Sequence, residues 1–108
     1  MTDEFKAKRT AEVEGNTVLL YAKGTKEQPA CGYSNATIEV FKRMGQPFEV
    51  VNVLDDPEIY QYLEEFSGWP TFPQVFVGGK LIGGCDITLE MSQNGELKTL
   101  VDQAFAGK

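Results

Sequence analysis

The chain has 108 residues, 42% of them hydrophobic, a formal charge of −6 and no histidine. That length and apolar content suit one domain, residues 1–108, able to bury its own core, and the acidic balance argues against a nucleic-acid or anionic-membrane surface. Without imidazole, Ser-His-Asp and Cys-His catalysis are excluded, and two cysteines cannot supply the four thiolates of a usual iron–sulfur cluster.

No apolar run nears the roughly 20 residues of a membrane span. The start, Met1-Thr2-Asp3-Glu4, lacks the basic and apolar regions of a secretory signal. Two cysteines without a disulfide framework fit a reducing compartment. The expectation is a cytoplasmic protein; a mature organelle-matrix protein trimmed of its targeting peptide has the same appearance.

From Thr2 to Glu14 the chain is charged, with Phe5, Ala7, Ala11 and Val13 at roughly helical spacing, which predicts a short, partly amphipathic helix ended by Gly15-Asn16. Thr17 to Ala22 is a continuous apolar, β-prone run, the pattern of a strand buried on both faces. A polar loop, Lys23 to Pro29, leads to Cys31. The next helix carries Ile38, Val40, Phe41 and Met44 and stops at Gly45, with Pro47 close behind. Phe48 to Val53 reads as a second strand.

Asp56 and Pro57 then form an N-cap and a first helical position, opening a helix from Glu58 to about Phe66. Ser67 to Pro73 breaks that helix. Gln74 to Val77, Gly78-Gly79 and Lys80 to Ile82 predict a hairpin with a two-residue primed turn. Gly83-Gly84-Cys85-Asp86 turns into a last helical region, interrupted near Asn94-Gly95 and resumed through Leu97, Leu100, Val101 and Phe105. The order α-β-α-β-α-β-β-α-α predicts an α/β fold, a four-stranded mixed sheet with helices on both faces. Cys31 then falls at the carboxyl end of the first strand, where open α/β sheets place ligand sites.

Cys31 also stands in front of a helix, where unpartnered N–H groups and the positive dipole end favour a thiolate. Lys23 offers a full positive charge nearby. The competing reading of a lone cysteine is a small buried hydrophobe. Cys31-Gly32-Tyr33-Ser34 has a hydroxyl where a dithiol pair has its second sulfur, so Cys31 must find a sulfur partner elsewhere. Gly84, Cys85 and Asp86 lie where a strand feeds a helix. Backbone N–H groups there suit a carboxylate, and Asp86 suits an ammonium or serves as an N-cap. Pro73 precedes a strand, where a cis X–Pro bond sets a sharp turn or the proline merely ends the helix.

Four stretches, Lys23-Gly24-Thr25, Cys31-Gly32-Tyr33-Ser34, Trp69-Pro70-Thr71-Phe72-Pro73-Gln74 and Gly83-Gly84-Cys85-Asp86-Ile87, occur in the order found in monothiol glutaredoxins. The chain resembles that family from about Val18 to Phe105. The resemblance implies a thioredoxin-like fold and a glutathione groove formed by Lys23, Gly32, Tyr33, Thr71, Phe72, Pro73, Gly84, Cys85 and Asp86. It implies a cis bond before Pro73, with the Phe72 backbone meeting the cysteinyl part of glutathione. Cys31 is the implied catalytic thiol and the implied ligand of a [2Fe–2S] cluster bridged between two subunits, with glutathione completing the set.

The family further implies a monomer without cluster and a homodimer with it, iron–sulfur acceptor proteins as recipients, and a BolA-like partner. The alternative is a monothiol reductase of glutathione mixed disulfides. Cys85 reads as a groove-lining packing residue in preference to a redox one, and Trp69 as core or groove wall. Two positions depart from the family: Tyr60 stands where arginine is common and Glu64 where some members have lysine. Both departures bear on the strength of glutathione binding, not on its location. Tyr33, for the more usual phenylalanine, keeps the ring.

Overall fold

A computed structural model describes residues 1–107. Its elements are α1 (Asp3–Gly15), β1 (Val18–Ala22), α2 (Gly32–Met44), β2 (Glu49–Asn52), α3 (Pro57–Ser67), β3 (Gln74–Val77), β4 (Lys80–Gly83), α4 (Cys85–Asn94) and α5 (Glu96–Ala106). The strands form one mixed sheet in the order β2-β1-β3-β4. β1 and β2 run parallel, while β3 is antiparallel to both β1 and β4. Gly78 and Gly79 both take positive φ in the β3–β4 turn, as a primed turn requires.

Every residue of β1 is buried. The period-2 alternation of a strand sends Val18, Leu20 and Ala22 to one face, where they meet Ile38, Val40 and Phe41 of α2 and Leu97 and Val101 of α5. Leu19 and Tyr21 face the other way, toward Phe5 and Val13 of α1 and Ile59 and Leu63 of α3. The expected helices on both faces are therefore present, and β1 is the shared wall of two cores. Each large apolar side chain buried there contributes about 1.5–3 kcal/mol.

Three expectations need correction. In α1, Ala7 and Ala11 are exposed, and the buried stripe is Phe5, Arg9 and Val13 at four-residue spacing. Arg9 is almost wholly enclosed, with Nε 2.7 Å from Glu12 Oε1, Nη1 3.7 Å from Asp56 Oδ2 and its guanidinium over the Phe5 ring. Paired charge lets an arginine occupy a position that apolar periodicity would leave out. The second strand is shorter than Phe48–Val53. Phe48 instead packs on Phe41, ring centroids 5.8 Å apart, and Val53–Asp55 form a 3-10 turn. Thr17 likewise precedes β1 instead of opening it.

Register brings three segments to one end of the sheet. Ala22 pairs with Asn52, and Tyr21 pairs with Gln74. Lys23, the turn after Asn52 and the segment ending in Pro73 therefore meet where β1 stops.

Candidate functional site

The loop after β1 is built before it reaches Cys31. Gly24 N–H donates to Asn52 Oδ1 at 2.9 Å, and Ala30 N–H returns to the Lys23 carbonyl at 2.9 Å. Gly24 has φ +98, and a Cβ there would lie 2.4 Å from Ala30 N and 2.5 Å from Gln28 O. Only glycine closes this loop so tightly. The same Asn52 oxygen accepts from Leu54 N–H at 3.0 Å, which is why β2 stops there. One amide side chain thus fixes both the loop that carries Lys23 and the exit of β2.

Cys31 is the N-cap of α2 and is partly exposed. Tyr33 and Ser34 are then the second and third helical residues, whose N–H groups an N-cap side chain faces. The neutral thiol makes no capping hydrogen bond, so the gain belongs to the anion. The Ser34 N–H holds the Cys31 thiol below its ordinary pKa, against the opposing effect of burial, with the Tyr33 N–H, the Ser34 hydroxyl and Lys23 adding to the lowering. Lys23 is the smallest of these causes, so the helix start outweighs the ammonium that the sequence reading set beside it. Ser34 is fully buried, and its Oγ accepts the Lys23 N–H at 3.0 Å. It is a structural strut as well as the position where a second thiol is missing.

Cys31 opens on a groove of about 680 Å³. Its lining brings together Lys23, Tyr33, Thr71, Phe72, Pro73, Gly84, Cys85 and Asp86 from the sequence prediction, joined by Tyr60, Trp69, Pro70 and Ile87. Gly32 lies outside the lining and serves instead as the first residue of α2. The Phe72–Pro73 peptide bond is cis. Gln74, fully buried, donates from Nε2 to the Trp69 carbonyl at 2.9 Å and so anchors the Trp69–Pro73 segment to β3.

Across the groove, Gly84 caps α4 and Cys85 is its first residue. The carboxylate of Asp86 therefore stands in the first turn, beside backbone N–H groups that α4 leaves without intrahelical partners. Asp86 is not itself the cap; Gly84 is. Tyr33, Tyr60 and Ile87 are exposed at the rim. One wall thus offers a cation and a thiolate, the middle an apolar floor, and the far wall both anion-seeking N–H groups and a carboxylate.

Asn52 and Ser34 were invisible as site residues because their partners lie far away in sequence. Pro70 and Ile87 stand inside the Trp69–Gln74 and Gly83–Ile87 stretches, and their exposed apolar surface marks them. Among the described residues, no three Cys, Asp or Glu side chains gather to hold a metal ion.

Comparison with known proteins follows the same lines. A glutaredoxin family model matches residues 18–82. An uncharacterized monothiol glutaredoxin of Synechocystis is 45% identical over 106 residues, covering 98% of this chain and 99% of its own. The solution structure of reduced poplar apo GrxS14 is 39% identical, with a TM-score of 0.79 over 95% of this chain and 93% of that one. A buckwheat glutaredoxin–glutathione complex superimposes with a TM-score of 0.83 at 26% identity, covering 98% of each chain.

Proposed function

The chain belongs to the glutaredoxin family as a monothiol member, and from that membership we propose that its homodimer carries a [2Fe–2S] cluster between two Cys31 thiolates and two glutathiones, for delivery to apo acceptor proteins. The glutathione-dependent glutaredoxin role is the broader part of this reading and is shared with its relatives. The carrying observation is Cys31 at the N-cap of α2: one partly exposed, anion-favouring sulfur that opens on a groove of about 680 Å³.

The donor set fits a shared cluster. Each chain presents a single partly exposed thiol, because Cys85 is buried. Four thiolates are the usual complement, so two Cys31 and two glutathione sulfurs complete it. In this reading Lys23 meets the glycine carboxylate of glutathione, and the Phe72 backbone meets its cysteinyl part. The N–H groups at Gly84 and Cys85 take the γ-glutamyl carboxylate, and Asp86 takes the ammonium. A BolA-like protein is a further proposed partner, docking on the thioredoxin-like surface.

Reductase chemistry is a second reading, favoured by the lowered pKa of Cys31. Its thiolate attacks the glutathione sulfur of a mixed disulfide; the substrate leaves as a thiolate that takes up a proton, and Cys31 is left glutathionylated. A second glutathione thiolate then attacks that disulfide, releasing Cys31 as a thiolate and glutathione disulfide as product. Ser34 cannot replace the second glutathione.

Anaerobic reconstitution with iron and sulfide, with and without glutathione, tests the carrier reading by visible absorption and sedimentation. Cluster absorption on a dimer that requires glutathione is expected. Full loading in the absence of any low-molecular-weight thiol would overturn the ligand set.

A further inference from the structure

Lys23 has no carboxylate within salt-bridge distance among the described residues; its ammonium lies over the Tyr60 ring, 5.7 Å from the centroid. The ring in turn is braced from beneath by Phe72, 5.6 Å away and tilted 46°. Tyr60 is nevertheless half exposed, at 52%. The ring is thus exposed while meeting both the Lys23 ammonium and Phe72.

Tyr60 is common to the groove and to a neighbouring hollow of about 480 Å³. Lys23 lines the groove and not the hollow, whereas Glu64 and Glu65 line the hollow and not the groove. With Trp69, Pro70 and Phe72, the ring is therefore part of the partition between the groove with the Lys23 ammonium and the hollow with the two acidic side chains. Helix α3 carries no basic residue, so Lys23 is the cation on this side of the groove.

We propose that Tyr60 is a positioning residue: it holds the Lys23 ammonium at the groove mouth, away from Glu64, and so sets the preference for ligands that carry a terminal carboxylate next to the cysteinyl unit. This rests on the glutathione reading and specifies which end of glutathione the ring governs. A lysine on four rotatable bonds is a poor anchor until something limits where its charge rests. A ring face supplies that limit without neutralising the charge, as an ion pair with Glu64 would.

The test compares reduced glutathione with its glycine monoethyl ester, which has the same sulfur and γ-glutamyl end but no free carboxylate beside the cysteinyl unit. The signal is the fluorescence of Trp69, the protein's one tryptophan and a groove wall. Wild type is expected to prefer glutathione, and Tyr60→Phe to keep that preference. Tyr60→Ala is expected to weaken glutathione about two- to five-fold, the scale of an exposed cation–π contact, while leaving the monoethyl ester unchanged. In a Lys23→Gln background, Tyr60→Ala is expected to do nothing further. Equal weakening of both ligands, an unchanged preference, or a full Tyr60→Ala effect without Lys23 overturns the proposal. Failure of wild type to bind either ligand overturns the glutathione reading itself, a distinct result.

Discussion

Cys31 and Cys85 each stand at the start of a helix, α2 and α4, and both line the same groove. Cys31 is the N-cap, so its side chain can turn back over the second and third N–H groups of its helix. Cys85 is one position further in, the first helical residue behind the cap Gly84, and is only 8% exposed. The segments that deliver them differ too. Cys31 arrives on a loop pinned by Asn52, whereas Cys85 follows directly from the last residues of β4. A helix start alone therefore does not leave a cysteine exposed over the free N–H groups. A shift of one residue decides whether the sulfur meets the free N–H groups and solvent or the packed wall.

The bluntest way to break this contrast is to remove each sulfur in turn. Cys31→Ser should abolish both cluster loading and glutathionylation, while Cys85→Ser should keep most of each, as read by visible spectra and intact mass. Equal losses would put both thiols in the ligand set.

The next largest effect should come from filling the space beside Cys85. A Cβ on Gly84 would stand 3.1 Å from the Pro73 carbonyl oxygen and 3.1 Å from Trp69 Nε1. Gly84→Ala should cost about 1–3 kcal/mol by overpacking and weaken glutathione binding. Denaturant unfolding and a Trp69 titration measure the two. On the Cys31 side, Ser34→Ala leaves the Lys23 N–H without its acceptor and removes a hydroxyl that favours the thiolate. A loss of about 1–2 kcal/mol is expected, together with an upward move of the Cys31 alkylation midpoint. Lys23→Ala should move that midpoint upward by less, and its effect should fade as salt is raised.

These sites differ in how far they were legible. β1 and the hairpin declared themselves by apolar runs and a Gly-Gly pair, and α3 by Asp56, whose Oδ1 accepts the Glu58 N–H at 3.0 Å. Motif spacing also brought Lys23, Cys31, Phe72 and Asp86 to one groove. Hydroxyl and amide groups acting at long range were not legible. Ser34 reads as a missing thiol until its bond to Lys23 is seen, and Asn52 reads as an ordinary strand residue until two N–H groups converge on it. Arg9 broke the α1 pattern because apolar periodicity does not register charge pairing, here with Glu12 one turn on and with the distant Asp56.

The lowered pKa of Cys31 also has a thermodynamic consequence. The folded state favours the thiolate, so between its midpoint and the ordinary thiol value of about 8.5 the unfolded chain binds more protons. Wild type should therefore gain stability relative to Cys31→Ser as pH rises through that window. The gain should be lost as pH falls through the folded midpoint. Urea unfolding of both proteins under reducing conditions measures the difference; a flat difference across the window would deny the shift.

Alkylation of the native protein against pH, with each cysteine followed separately by peptide mapping, tests the central contrast most directly. Cys31 should react first, with a midpoint below that of a free thiol, and Cys85 should react appreciably only once the chain is unfolded. A native Cys85 that alkylates as fast as Cys31, or a Cys31 midpoint at or above the free-thiol value, would contradict the account.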